Sequence, residues 1–264
     1  MAGSNYTKEI VQVNDIQMAY HITDYREGTP WLLLHGTRDT KTVWEVFFDQ
    51  YGDDRYLIAL DMRGHGESGK PDIPYSFDLF IEDLKGFCEV MGLEKVNIMG
   101  HSLGGGMAMY LTIKHPQLVE KLALMGCAAS HKLDFKPKTD GKSHGDIISQ
   151  ILPFFFPMER KIVPKPIVEY VQKEITTGWV ENITPVTHKR LNELIRVDLS
   201  ELVKEIQCPT LLVFGELDGV AKLSAGEYLA ESIPNSKLEI IEDTGHFMFM
   251  ERPQEVFSVL DEFI

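Results

Sequence analysis

The chain has 264 residues, a formal net charge of −14, 44% hydrophobic residues and 25% charged residues. That length exceeds the roughly 100–200 residues of a common domain but suits one α/β unit of about 250, and the ordinary apolar fraction excludes a disordered chain. The acidic excess argues against a nucleic-acid partner, which needs a basic surface.

Cys88, Cys127 and Cys208 are too few and too dispersed for a disulfide framework, and their apolar neighbours predict buried, reduced thiols. No CxxC, HxH or HExxH spacing occurs, so neither a metal nor another cofactor is expected. No segment reaches the ~20 apolar residues of a membrane span, and MAGSNYTKEI lacks the apolar core of a signal peptide. The expectation is a cytoplasmic protein, monomer or homodimer, not bound to a membrane.

In chain order, Glu9–Val13 and Gln17–Ile22 flank an Asn14-Asp15 turn and read as an antiparallel hairpin. Short, nearly continuous apolar runs follow at Trp31–His35, Tyr56–Leu60, Val96–Met99, Lys121–Met125, Thr210–Phe214 and Leu238–Ile241. Such runs are strands buried on both faces, as in parallel sheets. Between them the period becomes helical, in Ser76–Met91 (Ser76 as N-cap), Leu103–Lys114, Ala221–Ser232 and Pro253–Phe263. The pattern predicts a mainly parallel, eight-stranded α/β sheet with helices on both faces.

One stretch breaks the alternation. Residues 130–200 show no strand pattern, opening with a polar linker and the aromatic cluster ILPFFFPM before helical runs at Pro166–Ile175 and His188–Ile195. This is too long for a loop and predicts a helical insertion, or lid, interrupting a core made of 1–129 and 201–264. The insertion carries eleven basic and nine acidic residues, so the acidity belongs to the core.

Gly100-His101-Ser102-Leu103-Gly104 matches G-x-S-x-G between the predicted strand VNIM and a helix. A serine on so sharp a turn is strained, and side chains two positions to either side would clash, hence the glycines. His35-Gly36-Thr37 follows the first central strand, and Asp61-Met62-Arg63-Gly64-His65-Gly66-Glu67-Ser68 follows the next. With Asp218 after TLLVF and His246 after LEII, the chain resembles a serine hydrolase of the α/β-hydrolase fold, of the lid-bearing esterase, lactonase and C–C hydrolase group. The Ser…Asp…His order is that fold's order. Serine at the elbow excludes the branches that need aspartate there.

The residues alone point the same way. A serine hydroxyl needs a base near neutral pH, and of nine histidines only His246 stands at a strand's C-terminal end outside a turn motif. His35, His65 and His101 lie in turn motifs, where packing is the simpler role. Asp218, with Gly219 after it, is the first candidate to orient the imidazole; Glu216 is its rival, and Asp243 stands close to His246 along the chain.

The resemblance implies an oxyanion hole from the backbone N–H groups of Thr37 and Leu103. It also makes the D-x-R-G-x-G-x-S turn structural, with Asp61, Arg63 and Ser68 bonding backbone groups. Arg38 is a candidate to meet a substrate carboxylate, beside the simpler expectation of an ion pair with Asp39. Phe154, Phe155 and Trp179 are the insertion's candidates to touch substrate. The implied activity is hydrolysis of a small apolar acyl compound, an ester or lactone. The alternatives are a C–C hydrolase of the same mechanism and a hydrolase-like receptor with little turnover; cofactor-free oxygenase and cyanohydrin lyase chemistry stay as minor options.

Overall fold

The structure is a computed structural model describing residues 5–130, 150, 152–153, 155–156, 161–182 and 184–264, with backbone alone for 178–182. Its strands are β1 (Tyr6–Val13), β2 (Ile16–Thr23), β3 (Trp31–Leu34), β4 (Leu57–Leu60), β5 (Val96–His101), β6 (Val119–Met125), β7 (Thr210–Gly215) and β8 (Ser236–Ile241). They form one sheet in the order β1-β2-β4-β3-β5-β6-β7-β8. β1 and β2 pair antiparallel, with Val13 opposite Ile16 across the Asn14-Asp15 turn, and β2 runs antiparallel to β4. Every pair from β4 to β8 is parallel.

The α-helices are α1 (Glu45–Tyr51), α2 (Phe77–Val90), α3 (Leu103–Lys114), α4 (Lys165–Asn182), α5 (Pro185–Asn192), α6 (Leu223–Ser232), α7 (Met248–Glu251) and α8 (Pro253–Leu260), with 3-10 turns at Lys41–Trp44 and Leu202–Glu205. The two-residue period of the strands sorts them into two cores. Leu32, Leu34, Ile58, Leu60, Ile98, Leu122, Leu124, Leu212 and Phe214 face α2, α3 and α6. Leu33, Ala59, Met99, Ala123, Met125 and Val213 face α1 and α8 on the other side. The continuous apolar runs thus serve two helical layers at once.

Three local expectations need correction. α1 and the 3-10 turn at Lys41–Trp44 before it went unforeseen; Thr40 caps that turn by accepting the Thr42 N–H. The helix expected over His188–Ile195 is shifted, beginning at Pro185 behind a Thr184 cap. Its foreseen end is pulled away by backbone bonds: Ile195 N–H donates to the Tyr75 carbonyl, and the Ile195 carbonyl accepts from Phe77 N–H. Cys208 is half-buried, whereas Cys88 and Cys127 are buried thiols.

The insertion's helices α4 and α5 lie between β6 and β7. Phe156, Val163, Val168 and Val171 join the α1–α8 core, while Leu191 and Leu199 join the other. From β3 the chain crosses to β4 on one side, and from β5 to β6 on the other. Open parallel sheets bind ligands where the winding direction switches, outside the carboxyl ends of the strands. Here that crevice lies between the ends of β3 and β5, beside Gly36 and Ser102.

Candidate active site

Ser102 joins β5 to α3 with φ 53° and ψ −115°. A non-glycine residue held there carries strain of roughly 1–3 kcal/mol, and its surroundings explain how it is held. A methyl group at Gly100 would lie 2.5 Å from the Gly104 carbonyl oxygen, and one at Gly104 only 2.1 Å from that of Leu34. The helix therefore presses onto the sheet at a distance only glycine permits. Ser102 N–H donates to the Met125 carbonyl at 3.0 Å, fixing the turn on β6. Leu103 opens α3, so its N–H has no intrahelical acceptor and lies at the positive end of the helix.

The loop after β3 lies directly against this turn. A methyl group at Gly36 would stand 3.3 Å from Ser102 Cβ and 3.1 Å from His101 Nδ1. Thr37 follows, half-buried. Of the two backbone N–H groups implied for the oxyanion hole, that of Leu103 opens α3 and that of Thr37 lies in the loop packed against the serine turn.

The loops after β7 and β8 bring Asp218 and His246 together. His246 Nδ1 stands 2.7 Å from Asp218 Oδ2, with both side chains buried. A carboxylate only accepts, so Nδ1–H is the donor and Nε2 is the ring nitrogen left for another partner. That Nε2 is buried without a hydrogen-bond partner among the described residues. Asp218 is fixed in turn, its Oδ1 accepting from the backbone N–H groups of Val220 and Ala221 at 2.8 and 2.9 Å. At Gly126, next to Met125 and so beside the serine turn, a methyl group would lie 3.1 Å from Asp218 Oδ2 and 3.2 Å from His246 Nδ1. Gly126 is the common floor under the pair.

The rival carboxylates are engaged elsewhere. Exposed Glu216 accepts the Asp243 N–H. Asp243, at φ 57°, accepts backbone N–H groups from Lys161, Ile162 and Val163 at 2.7–2.8 Å. It ties the insertion to the histidine loop.

Two further residues hold His246, and sequence reasoning missed both. His101, assigned to turn packing, has Nε2 2.9 Å from the His246 carbonyl oxygen, and its ring packs 4.5 Å from the His246 ring. Burial, and then the neighbouring His246, push its pKa well below the ordinary value, so it donates as a neutral ring. Glu251 accepts from Gly245 N–H through both oxygens, at 3.1 and 3.2 Å. The only signal for it was an acidic residue soon after TGHF.

Of the insertion's candidates, Phe155 reaches the site. Its ring meets the His246 ring edge-on at 5.1 Å, and its carbonyl accepts the His246 N–H at 3.1 Å. Phe156 is buried and stacks on Phe247. Phe154 and the Trp179 side chain lie outside the described residues.

Arg38 departs from the simpler expectation. It sits at φ 69° in the turn closed by Asp39 N–H to the Gly36 carbonyl. Its guanidinium donates to Asn192 Oδ1 at 2.8 Å, across to α5, and no ion pair joins it to Asp39. Asp39 turns the other way, its Oδ2 only 2.8 Å from where a methyl group at Gly36 would stand.

The turn after β4 is a second correction. Arg63 bonds carboxylates rather than backbone, pairing with Asp83 and Asp15. Asp61 accepts from Lys41 N–H, Lys41 Nζ and Glu67 N–H at 2.6–2.8 Å, and Ser68 bridges the Asp61 carbonyl and Ala19 N–H.

Among the described residues no His, Cys, Asp and Glu side chains cluster so as to hold a metal ion. No described helix is long and apolar enough to cross a membrane.

A family model described as the alpha/beta hydrolase family matches residues 31–259. The chain is similar to 2-hydroxymuconate semialdehyde hydrolase of Pseudomonas sp. strain CF600, at 26% identity over 261 residues covering 92% of this chain and 89% of that one. It resembles the solved enol-lactonase from Burkholderia xenovorans LB400 with a TM-score of 0.83 at 21% identity, covering 97% of this chain and 99% of that one. An esterase from Exiguobacterium antarcticum gives a TM-score of 0.80 at 23% identity, covering 97% and 99%. At these identities the structural likeness speaks for the fold.

Proposed function

Since the chain belongs to the alpha/beta hydrolase family, we propose that it is a serine hydrolase acting on a small carboxylic ester or lactone. The observation that carries this reading is the buried His246–Asp218 pair with Nε2 unpaired, beside the strained Ser102. A base that takes the serine proton needs that outer nitrogen free of other bonds.

The chemistry follows from the groups. As Ser102 Oγ bonds to the substrate's carbonyl carbon, its proton passes to His246 Nε2, and Asp218 stabilises the imidazolium. The carbonyl π pair moves onto oxygen, where the Thr37 and Leu103 N–H groups receive it. Collapse breaks the bond to the alkoxide, which takes the proton back from His246. Water, deprotonated by the same histidine, then releases the acid and restores Ser102. Residues 130–200 act as a lid over this site, a role supported by the Phe155 edge on His246.

A second reading is hydrolysis of a C–C bond beside a carbonyl, favoured by likeness to the muconate semialdehyde hydrolase. A p-nitrophenyl ester panel beside a vinylogous 1,5-diketo acid, run with wild type and Ser102→Ala, tests both. The primary reading expects ester turnover that vanishes in the variant. Turnover of the diketo acid alone favours the second reading, and ester turnover that survives in Ser102→Ala contradicts both.

A further inference from the structure

A general base works only while its ring stays within hydrogen-bond reach of the hydroxyl it deprotonates. A misplacement of about 1 Å can cost on the order of 10²-fold in rate. What holds His246 is therefore part of the chemistry. Its ring is held by Asp218 through Nδ1, and its carbonyl by His101 from the serine turn. Its own N–H donates to the Phe155 carbonyl at 3.1 Å, so one of these three holds belongs to the insertion.

The residues just before the base are gripped from the core. Asp243 N–H donates to Glu216 Oε2 at 2.9 Å, and the Thr244 carbonyl accepts Leu217 N–H at 2.9 Å. Gly245 N–H bonds both Glu251 oxygens. The N–H of the base itself goes to the insertion instead.

The Phe155 carbonyl can hold that N–H only if its own segment is fixed against the histidine loop, and Asp243 supplies the fixing. Its buried carboxylate accepts three successive backbone N–H groups. Lys161 donates to Oδ1 at 2.8 Å, and Ile162 and Val163 donate to Oδ2 at 2.7 and 2.8 Å. Successive N–H groups converging on one point form an anion-binding concavity, and here a side chain of the histidine loop fills it. Bonds to a carboxylate are the stronger, charge-assisted kind. Val163 is buried in the same core as Phe156, and Phe156 stacks on Phe247 at 5.4 Å. The insertion thus meets the histidine loop at two places, Asp243 and His246–Phe247. The φ of 57° at Asp243 is one that aspartate tolerates and most residues avoid.

We propose that Asp243 is a positioning residue. By gripping residues 161–163 it keeps the Phe155 carbonyl on the His246 N–H, so the insertion sets the placement of the general base, beyond any role as a cover. The effect on rate rests on the serine-hydrolase reading; the effect on His246 does not.

The test uses two variants. Asp243→Gly removes the carboxylate and keeps the left-handed backbone accessible, and Asp243→Asn keeps one oxygen to accept. With a p-nitrophenyl ester, Asp243→Gly is expected to lower kcat about 10- to 100-fold. KM is expected to stay within about threefold of wild type, since the hold acts on the base and not on bound substrate. Asp243→Asn falls between, a partial rescue that loss of charge alone would not give. If Asp243 only docks the insertion across the site, the variants raise KM and leave kcat alone. That result, or unchanged kinetics, overturns the proposal.

Hydrogen exchange read by mass spectrometry examines the same joint without substrate. The peptide carrying His246 is expected to exchange about tenfold faster in Asp243→Gly, while β5 and α3 keep their protection. Equal exchange in the two proteins overturns the proposal whether or not an ester is cleaved. Loss of protection in β5 and α3 as well marks general destabilisation, and Asp243→Asn is then read by the same criteria. Should wild type cleave no ester and Ser102 resist a fluorophosphonate, the hydrolase reading fails alone, and exchange at His246 decides the joint.

Discussion

Two turns leave the carboxyl end of the sheet side by side, and they treat polar groups in opposite ways. The turn after β4, Asp61 to Ser68, is saturated: Asp61 accepts three bonds, Ser68 makes two, and Arg63 is held by two aspartates. The turn after β3, His35 to Asp39, is held at its root, where His35 Nε2 accepts the Met62 N–H, and closed by Asp39 N–H on the Gly36 carbonyl. Beyond that point Arg38 leaves the turn and donates to Asn192 Oδ1 on α5. Both turns are rich in histidine, arginine and aspartate, so composition does not separate them. The partner does: carboxylates hold the cation of the turn after β4, and the side-chain amide of Asn192 accepts from that of the turn after β3.

The comparison is broken most directly by activity. Ser102→Ala is expected to lower ester turnover by about 10⁴–10⁶ while leaving the urea midpoint near that of wild type. Asp218→Asn, which removes the acceptor that fixes the His246 tautomer, is expected to lower kcat by about 10⁴, again with a folded protein by circular dichroism. An undiminished rate in either variant would place the chemistry elsewhere.

The saturated turn predicts the reverse pattern. Arg63→Met strips a buried ion pair from Asp83 and is expected to cost about 3–5 kcal/mol in urea unfolding. Arg38→Met removes one hydrogen bond to exposed Asn192 and is expected to cost less, about 0.5–1.5 kcal/mol. Equal losses in the two variants would erase the distinction between the turns.

Acid sharpens the contrast more gently. Burial lowers the His65 pKa to about 3, and that of His21 to about 4, from an ordinary 6.5. Between pH 6.5 and those values the unfolded chain binds more protons than the folded one, so stability falls as pH falls. Asp61 and Glu67, held below the usual carboxylate range by Lys41, act in the same direction at lower pH. The thermal midpoint should therefore drop steadily from pH 7 to pH 4.5; a rise would contradict the buried neutral histidines.

Much of this was legible in the sequence because the fold writes it locally. The two-faced burial of β3 to β7 needs continuous apolar runs, and the close approach of α3 to β3 needs Gly104, so strand order and elbow both leave marks. Asp218 and His246 could be chosen because each closes a strand. What stayed hidden depends on contacts across long stretches of chain. His101 looked like turn packing because its bond to the His246 carbonyl spans 145 residues. Asp243 looked like a weak rival acid, since its bonds to Lys161–Val163 belong to an insertion without a strand period. α1 had no local signature either, being defined by packing against α8.

The most direct measurement is intact-protein and peptide mass spectrometry after reaction with a fluorophosphonate, on wild type and His246→Ala. One adduct on the Ser102 peptide of wild type, formed far more slowly when His246 is absent, is the predicted result. An adduct on another residue, no adduct, or equal rates in the two proteins would contradict the claim that Ser102 is a nucleophile activated by His246.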